Sequence, residues 1–151
     1  MQSLLLLVDR LSTWLEEAGL AFNQYLLDAD EPLLFHTGQR ALFPDVSAAV
    51  ASVVPLDRLR WIAFGHLESD ECGAMNQFLA AAPHAQVIGS HLANIVSLFD
   101  LCDRPPHSMG DGEVLDLGGR RVRMLETPHV PHGWDAHLLY EEATQTLLCG
   151  D

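Results

Sequence analysis

The chain contains no lysine. Its eight basic residues are all arginine, set against 21 Asp and Glu, for a formal charge of −13 over 151 residues. That balance argues against nucleic acid or an anionic membrane surface as the main partner, because both repel a carboxylate-rich protein. Cysteine is scarce as well: Cys72, Cys102 and Cys149 are odd in number, far apart and without a CxxC pair. This excludes a disulfide framework and points to free thiols in a reducing, cytoplasmic setting. Long apolar runs are missing too. Leu4-Leu5-Leu6-Leu7-Val8 stops at Asp9-Arg10 and has no basic residue before it, so it reads as a first strand and not as a membrane span or secretion signal. Internal repeats, low-complexity tracts and linker-like stretches are absent, so residues 1–151 are expected to form one domain.

What is present is an apolar fraction of 48%, enough for a real core, and eight histidines that add cation-binding capacity to the carboxylates. Strands are expected at Leu4–Val8, Asn23–Leu27 and Pro32–Phe35, followed by a helix over Leu42–Val54 with Pro44 and Asp45 in its first turn. Arg60–Phe64 reads as the next strand, Gly73–Ala82 as a helix closed by Pro83, Gln86–Gly89 as a strand, and His91–Asp100 as a helix capped by Ser90. After Arg104-Pro105-Pro106 the pattern becomes antiparallel β. Glu113–Leu117 and Arg121–Leu125 flank a Gly118-Gly119 turn, and Ala136–Tyr140 and Thr146–Leu148 follow a His- and Pro-rich loop. The order implies an α/β (α+β) domain.

The apolar run Trp61-Ile62-Ala63-Phe64 ends directly in Gly65-His66-Leu67-Glu68-Ser69-Asp70-Glu71-Cys72. Chemistry in α/β proteins is commonly presented at the carboxyl ends of strands, and four possible metal ligands here fall within six residues. In a locally extended loop His66, Glu68 and Asp70 would point to a common side. The tripeptide pattern fits either an acidic loop that solvates the end of a strand or a metal shell. Imidazole with two carboxylates suits iron, manganese or zinc better than the all-oxygen shells of calcium and magnesium.

A second loop, Thr127-Pro128-His129-Val130-Pro131-His132-Gly133-Trp134-Asp135, carries two imidazoles on backbone stiffened by two prolines, which lowers the entropy lost when a ligand is fixed. His129 and His132 both remain candidates from the residues alone. Asp151 follows the apolar run Leu147-Leu148-Cys149. Trp61, Phe64 and Cys72 read as packing residues, and His36, His84, His91, His107 and His137 as structural or surface residues.

Taken together, His66-Leu67-Glu68-Ser69-Asp70, then His132 with Gly133-Trp134-Asp135, then Asp151 after a strand resemble the ligand series of the metallo-β-lactamase superfamily. They are most similar to the di-iron domain of flavodiiron proteins. The separations of 66 residues between His66 and His132 and 19 between His132 and Asp151 fit that family, as does the opening Phe22–Leu27 and Pro32–Gly38. The resemblance implies an αββα sandwich of which this chain holds the N-terminal half, incomplete at its C-terminus, with a last His ligand beyond Asp151. It implies one metal held by His66, Glu68 and His132, a second held by Asp70, and Asp151 bridging them, with Glu71 standing where the family typically carries His. Glu71 is accordingly a further candidate donor, and Asp70 and Glu71 are the candidate catalytic residues.

The activity so implied is the binding or reduction of O₂ or NO at two metal ions. Iron is favoured over zinc or manganese, and the electrons come from a separate donor protein because no FMN domain is encoded. A zinc hydrolase of an ester, thioester or lactam, with Asp70 orienting a metal-bound hydroxide, is the alternative on the same fold. A non-catalytic metal-binding or assembly module is the third reading. Uncovered apolar sheet faces such as Leu138-Leu139-Tyr140 imply a homo-oligomer.

Overall fold

A computed structural model describes residues 8–17, 19–128 and 133–150. Strands β1 (Val8–Leu15), β2 (Leu20–Leu27), β3 (Leu33–Phe35), β4 (Trp61–Ala63), β5 (Gln86–Ser90) and β6 (His107–Met109) form one sheet in sequence order. β1, β2 and β3 pair antiparallel, whereas β3, β4, β5 and β6 run parallel. A second, antiparallel sheet has the order β10 (Thr146–Leu148), β9 (His137–Glu141), β8 (Arg121–Glu126), β7 (Val114–Asp116).

Strand periodicity sorts the side chains into two cores. Leu26, Leu34, Ile62 and Val87 lie on the sheet face covered by α1 (Phe43–Ala51) and α3 (Met75–Ala81), where Val46, Val50, Phe78 and Leu79 meet them. Leu27, Leu33, Phe35, Trp61, Ala63 and Ile88 point the other way, onto Val122, Met124, Leu139 and Leu148 of the second sheet. The described layers are therefore helices, sheet and sheet. Every residue of β3 and β4 is buried because both faces of the parallel strands are covered, which explains their unbroken apolar sequence.

Three expectations change. The first strand begins where it was expected to end: β1 runs from Val8 through Asp9 and Arg10 to Leu15, while Leu4–Leu7 lie outside the described residues. The charged residues do not interrupt it, because it is the edge of the sheet and only alternate side chains turn inward. His107–Met109, which the sequence assigns to no element and which follows two prolines, is a parallel edge strand on β5, whereas the pattern after Pro106 predicts antiparallel pairing. The helix after Ser90 forms in three pieces, His91–Ala93, a wider π-helical turn Asn94–Leu98, and Phe99–Leu101. The wider turn lies where Gly89 brings the strand backbone against Leu98 and Asn94, whose side chains leave no room for a Cβ. Ser90 caps this helix as expected, its hydroxyl accepting from the Ala93 amide at 3.1 Å.

Candidate metal centre

The parallel strands β3 and β4 end side by side, and each hands its next residues to the same place. After β4 the chain passes Phe64 and Gly65 to His66, which is buried at 3% exposure. Glu68 is extended, with φ −132° and ψ 153°, and its side chain is half exposed. The expected extended loop stops there: the carbonyl of Glu68 accepts from the Glu71 and Cys72 amides at 3.1 and 2.9 Å, starting the helical turn α2 (Ser69–Cys72). Asp70 therefore projects from a helical turn, half-buried, and not from a strand-like loop.

His66 and Glu68 converge. His66 Nε2 lies 2.8 Å from Glu68 Oε2, and the opposite ring nitrogen, Nδ1, lies 3.3 Å from Glu71 Oε2. The same Glu71 oxygen accepts from the His66 amide at 2.8 Å and lies 3.4 Å from Nε2 of His36. Glu71 is itself buried. Burial pushes its carboxyl up, but the hydrogen bond and charge of His36, the His66 amide and the charge of His66 outweigh that and leave it below the usual carboxylate range. The neighbouring Cys72 thiol is pushed up to about 12 by burial and by the charges of Glu71 and Asp135, so it is an inert packing residue, as the sequence implied.

His36, read from the sequence as structural or surface, stands immediately after β3. It adopts φ +66°, a left-handed conformation uncommon for a side chain of this size, with its ring stacked on Phe35 at 4.3 Å. Its amide donates to the Ala63 carbonyl at 2.7 Å, and its Nε2 lies 3.4 Å from the Gly65 amide nitrogen as well as from Glu71 Oε2. Its place at a strand end was the signal that could have found it. His36, Asp70, Glu71, Asn23 and Tyr25 line a cavity of about 430 Å³.

The second loop is tied to the first by one side-chain and one backbone hydrogen bond. The Leu67 amide donates to Asp135 Oδ2 at 2.8 Å, and the His137 amide donates to the Gly65 carbonyl at 2.8 Å. His137 is a buried residue at the head of β9 whose Nε2 has no hydrogen-bond partner among the described residues, and burial pulls its pKa down. Gly150 packs directly on Gly65: a Cβ on Gly65 would stand 2.8 Å from the Gly150 Cα. His129, His132 and Asp151 lie outside the described residues, and among the described residues no group of three or more His, Cys, Asp or Glu is arranged to hold a metal ion. The structure thus brings together His66 and Glu68, adds Glu71 and His36 behind them, sets Asp70 on the adjoining cavity, and draws the segments that flank His132 and Asp151 to the same strand end.

The surroundings of His66 are those a metal-ligating imidazole would need. A ligating imidazole presents one nitrogen to the ion and has the other held by a carboxylate, carbonyl or water, and His66 has that arrangement with Glu68 on one side and Glu71 on the other.

The layered fold and a strand-end cluster of imidazole and carboxylates define a metallo-β-lactamase-type domain. Solved structures share the fold. The flavodiiron protein from Giardia intestinalis matches with a TM-score of 0.80 at 16% identity, over 97% of this chain and 38% of that one. A metallo-β-lactamase from Cronobacter sakazakii matches with 0.68 at 22%, over 83% and 54%. Rubredoxin oxygen:oxidoreductase from Desulfovibrio gigas matches with 0.72 at 27%, over 80% and 30%. By sequence, the anaerobic nitric oxide reductase flavorubredoxin of Pectobacterium carotovorum is 26% identical over 88% of this chain and 27% of its own length. The rubredoxin-oxygen oxidoreductase of Megalodesulfovibrio gigas is 29% identical over 75% of this chain and 29% of its own. The chain thus spans little more than a quarter of the length of these relatives. Residues 20–151 match the family described as ODP family beta lactamase, and the chain belongs to that family. No helix among the described residues is long and apolar enough to cross a membrane.

Proposed function

We propose that this chain supplies the N-terminal part of a di-iron centre that binds or reduces O₂ or NO with electrons from a separate donor protein. The observation that carries the reading is the convergence of His66 Nε2 and Glu68 Oε2 at 2.8 Å, with Glu71 holding the opposite nitrogen of the same ring. His66, Glu68 and His132 would hold one iron, Asp70 the second, and Asp151 would bridge them. Iron held by these residues would supply the redox chemistry needed to reduce a small oxidant, with the electrons coming from the donor protein. The names of the relatives, a nitric oxide reductase and an oxygen oxidoreductase, support that substrate class.

The chain's own residues bind, orient and enclose. His36, Tyr25 and Asn23 wall the cavity on which Asp70 opens, a space suited to a small ligand. The Asp135 carboxylate and the Gly65 carbonyl fix the second loop against the first, limiting the reorganisation needed when a diatomic molecule enters.

The test is elemental analysis and visible spectroscopy of the full chain purified without added metal. Expected are close to two equivalents of iron and a ferric absorption band. His66→Ala should abolish the band, and Asp70→Asn should cut the iron content by about half. Zinc in place of iron, with hydrolysis of an ester, thioester or lactam, would establish the hydrolase reading. Less than one equivalent of any metal in a single defined oligomer would establish the assembly-module reading.

A further inference from the structure

Glu71 occupies the position where a second metal's His donor is expected from the flavodiiron resemblance, yet its carboxylate faces inward. It is 3% exposed and reaches back across its own helical turn to the far side of His66, away from the Nε2 and Glu68 pair. One oxygen, Oε2, meets three groups: the His66 amide at 2.8 Å, His66 Nδ1 at 3.3 Å and His36 Nε2 at 3.4 Å. The other, Oε1, lies against Gly150, where a Cβ would overlap it, and a Cβ on Gly65 would stand 3.1 Å from Oε2. Two glycines on two different strand ends thus make the space this carboxylate fills. Its backbone is fixed as well, the Glu71 carbonyl accepting from the Thr37 amide at 2.7 Å and from Thr37 Oγ1 at 3.2 Å.

We infer that Glu71 is a positioning residue: it holds the hydrogen of the His66 ring on Nδ1 and so keeps the Nε2 lone pair aimed at the side where Glu68 lies. It donates no oxygen to the second metal, whose protein donors then come from Asp70 and from residues beyond the two described loops. A carboxylate behind a ligating imidazole fixes the tautomer and raises ligand basicity, and its removal commonly weakens metal affinity by about 10- to 100-fold. The inference rests on the metal-centre reading above and concerns only which side of His66 Glu71 serves.

Cobalt(II) titration of the full chain separates the possibilities, with Glu71→Gln, Glu71→Asp and Asp70→Asn compared with wild type. Gln keeps the shape and an acceptor for the His66 amide but loses the charge, whereas Asp keeps the charge and withdraws it by one methylene. Both should bind cobalt about 10- to 100-fold more weakly than wild type, at unchanged equivalents at saturation. Asp70→Asn should lose equivalents. In the cobalt-loaded wild type, the exchangeable Nδ1–H proton of His66 should give a hyperfine-shifted NMR signal that moves or is lost to exchange in Glu71→Gln, a change that a merely structural role would not produce. Fewer equivalents at saturation in Glu71→Gln, as in Asp70→Asn, would make Glu71 a ligand and overturn the inference while leaving the metal centre standing. Affinity within about twofold of wild type in both Glu71 variants would also overturn it. Failure of wild type to bind cobalt would remove the metal-centre reading and this one with it. If Glu71→Gln does not fold, Glu71→Asp carries the same comparison.

Discussion

At the residue scale the site depends on close backbone approach as much as on its donors. Gly65 has no room for a side chain, because a Cβ would meet Gly150 Cα at 2.8 Å and Gly150 N at 2.9 Å, both backbone atoms that move only if two strand ends separate. Gly65→Ala should therefore cost about 1–3 kcal/mol, the usual range for overpacking, read as a lower urea midpoint at unchanged slope. It should weaken metal binding as well, since the His66 backbone moves with it. His36 is strained in another sense: a non-glycine residue held at φ +66° persists only when its surroundings fix it, and such positions gather at functional sites. Here the Ala63 carbonyl, the Gly65 amide and the Phe35 ring fix it against Glu71.

At the element scale the two candidate loops are joined, among the described residues, by the Leu67–Asp135 and His137–Gly65 hydrogen bonds. The Asp135 side chain accepts from the Leu67 amide between His66 and Glu68. Asp135→Ala removes that acceptor without touching any proposed donor. It should lower metal affinity by about tenfold, the low end of what outer-shell partners contribute, with a smaller effect on the unfolding midpoint; calorimetric metal titration beside urea unfolding checks the split. The helix after β5 starts at a single cap, Ser90, whose hydroxyl satisfies the Ala93 amide. Ser90→Ala should cost about 1 kcal/mol and leave metal binding unchanged, because that helix lies at the β5 and β6 side of the sheet, two strands from His36.

For the molecule as a whole, acid should be destabilising in two steps. His137 is buried, its Nδ1 donates to the Asp135 carbonyl at 3.2 Å and its Nε2 has no partner among the described residues, so burial lowers its pKa below the ordinary 6.5. The folded state then binds fewer protons than the unfolded chain, and the contribution is full above pH 6.5 and is lost as pH falls below it. Glu71 and Glu141 follow at lower pH. Burial raises both carboxyls, but His36 and His66 around Glu71, and Thr144, Ala143 and Arg120 around Glu141, bring each below 4.5. Their stabilisation is present above pH 4.5 and disappears as pH drops through the folded values. Urea midpoints of the metal-free chain at pH 8, 5.5 and 3.5, chosen as roughly bracketing these ordinary pKa values, should fall in both intervals. His137→Phe should flatten the upper interval and Glu141→Gln the lower.

Local pattern by itself determined the β-rich opening, the helix closed by Pro83, the Ser90 cap, the antiparallel second half and the cluster after β4, because periodicity, proline and capping chemistry act over a few residues. It also set His66, Glu68 and Asp70 beside a strand end. Only the tertiary structure decided what each does. His36 and Glu71 are 35 residues apart in sequence and meet only because β3 and β4 end together in parallel. The edge strands β1 and β6 escaped the pattern because pairing, not their own composition, makes them strands. Glu71 shows the division most clearly: its sequence position suggests a donor, whereas its orientation depends on a helical turn, two imidazoles and two glycines from separate elements. Burying a charged group is favourable only where such partners already surround it, and no local stretch of sequence contains them.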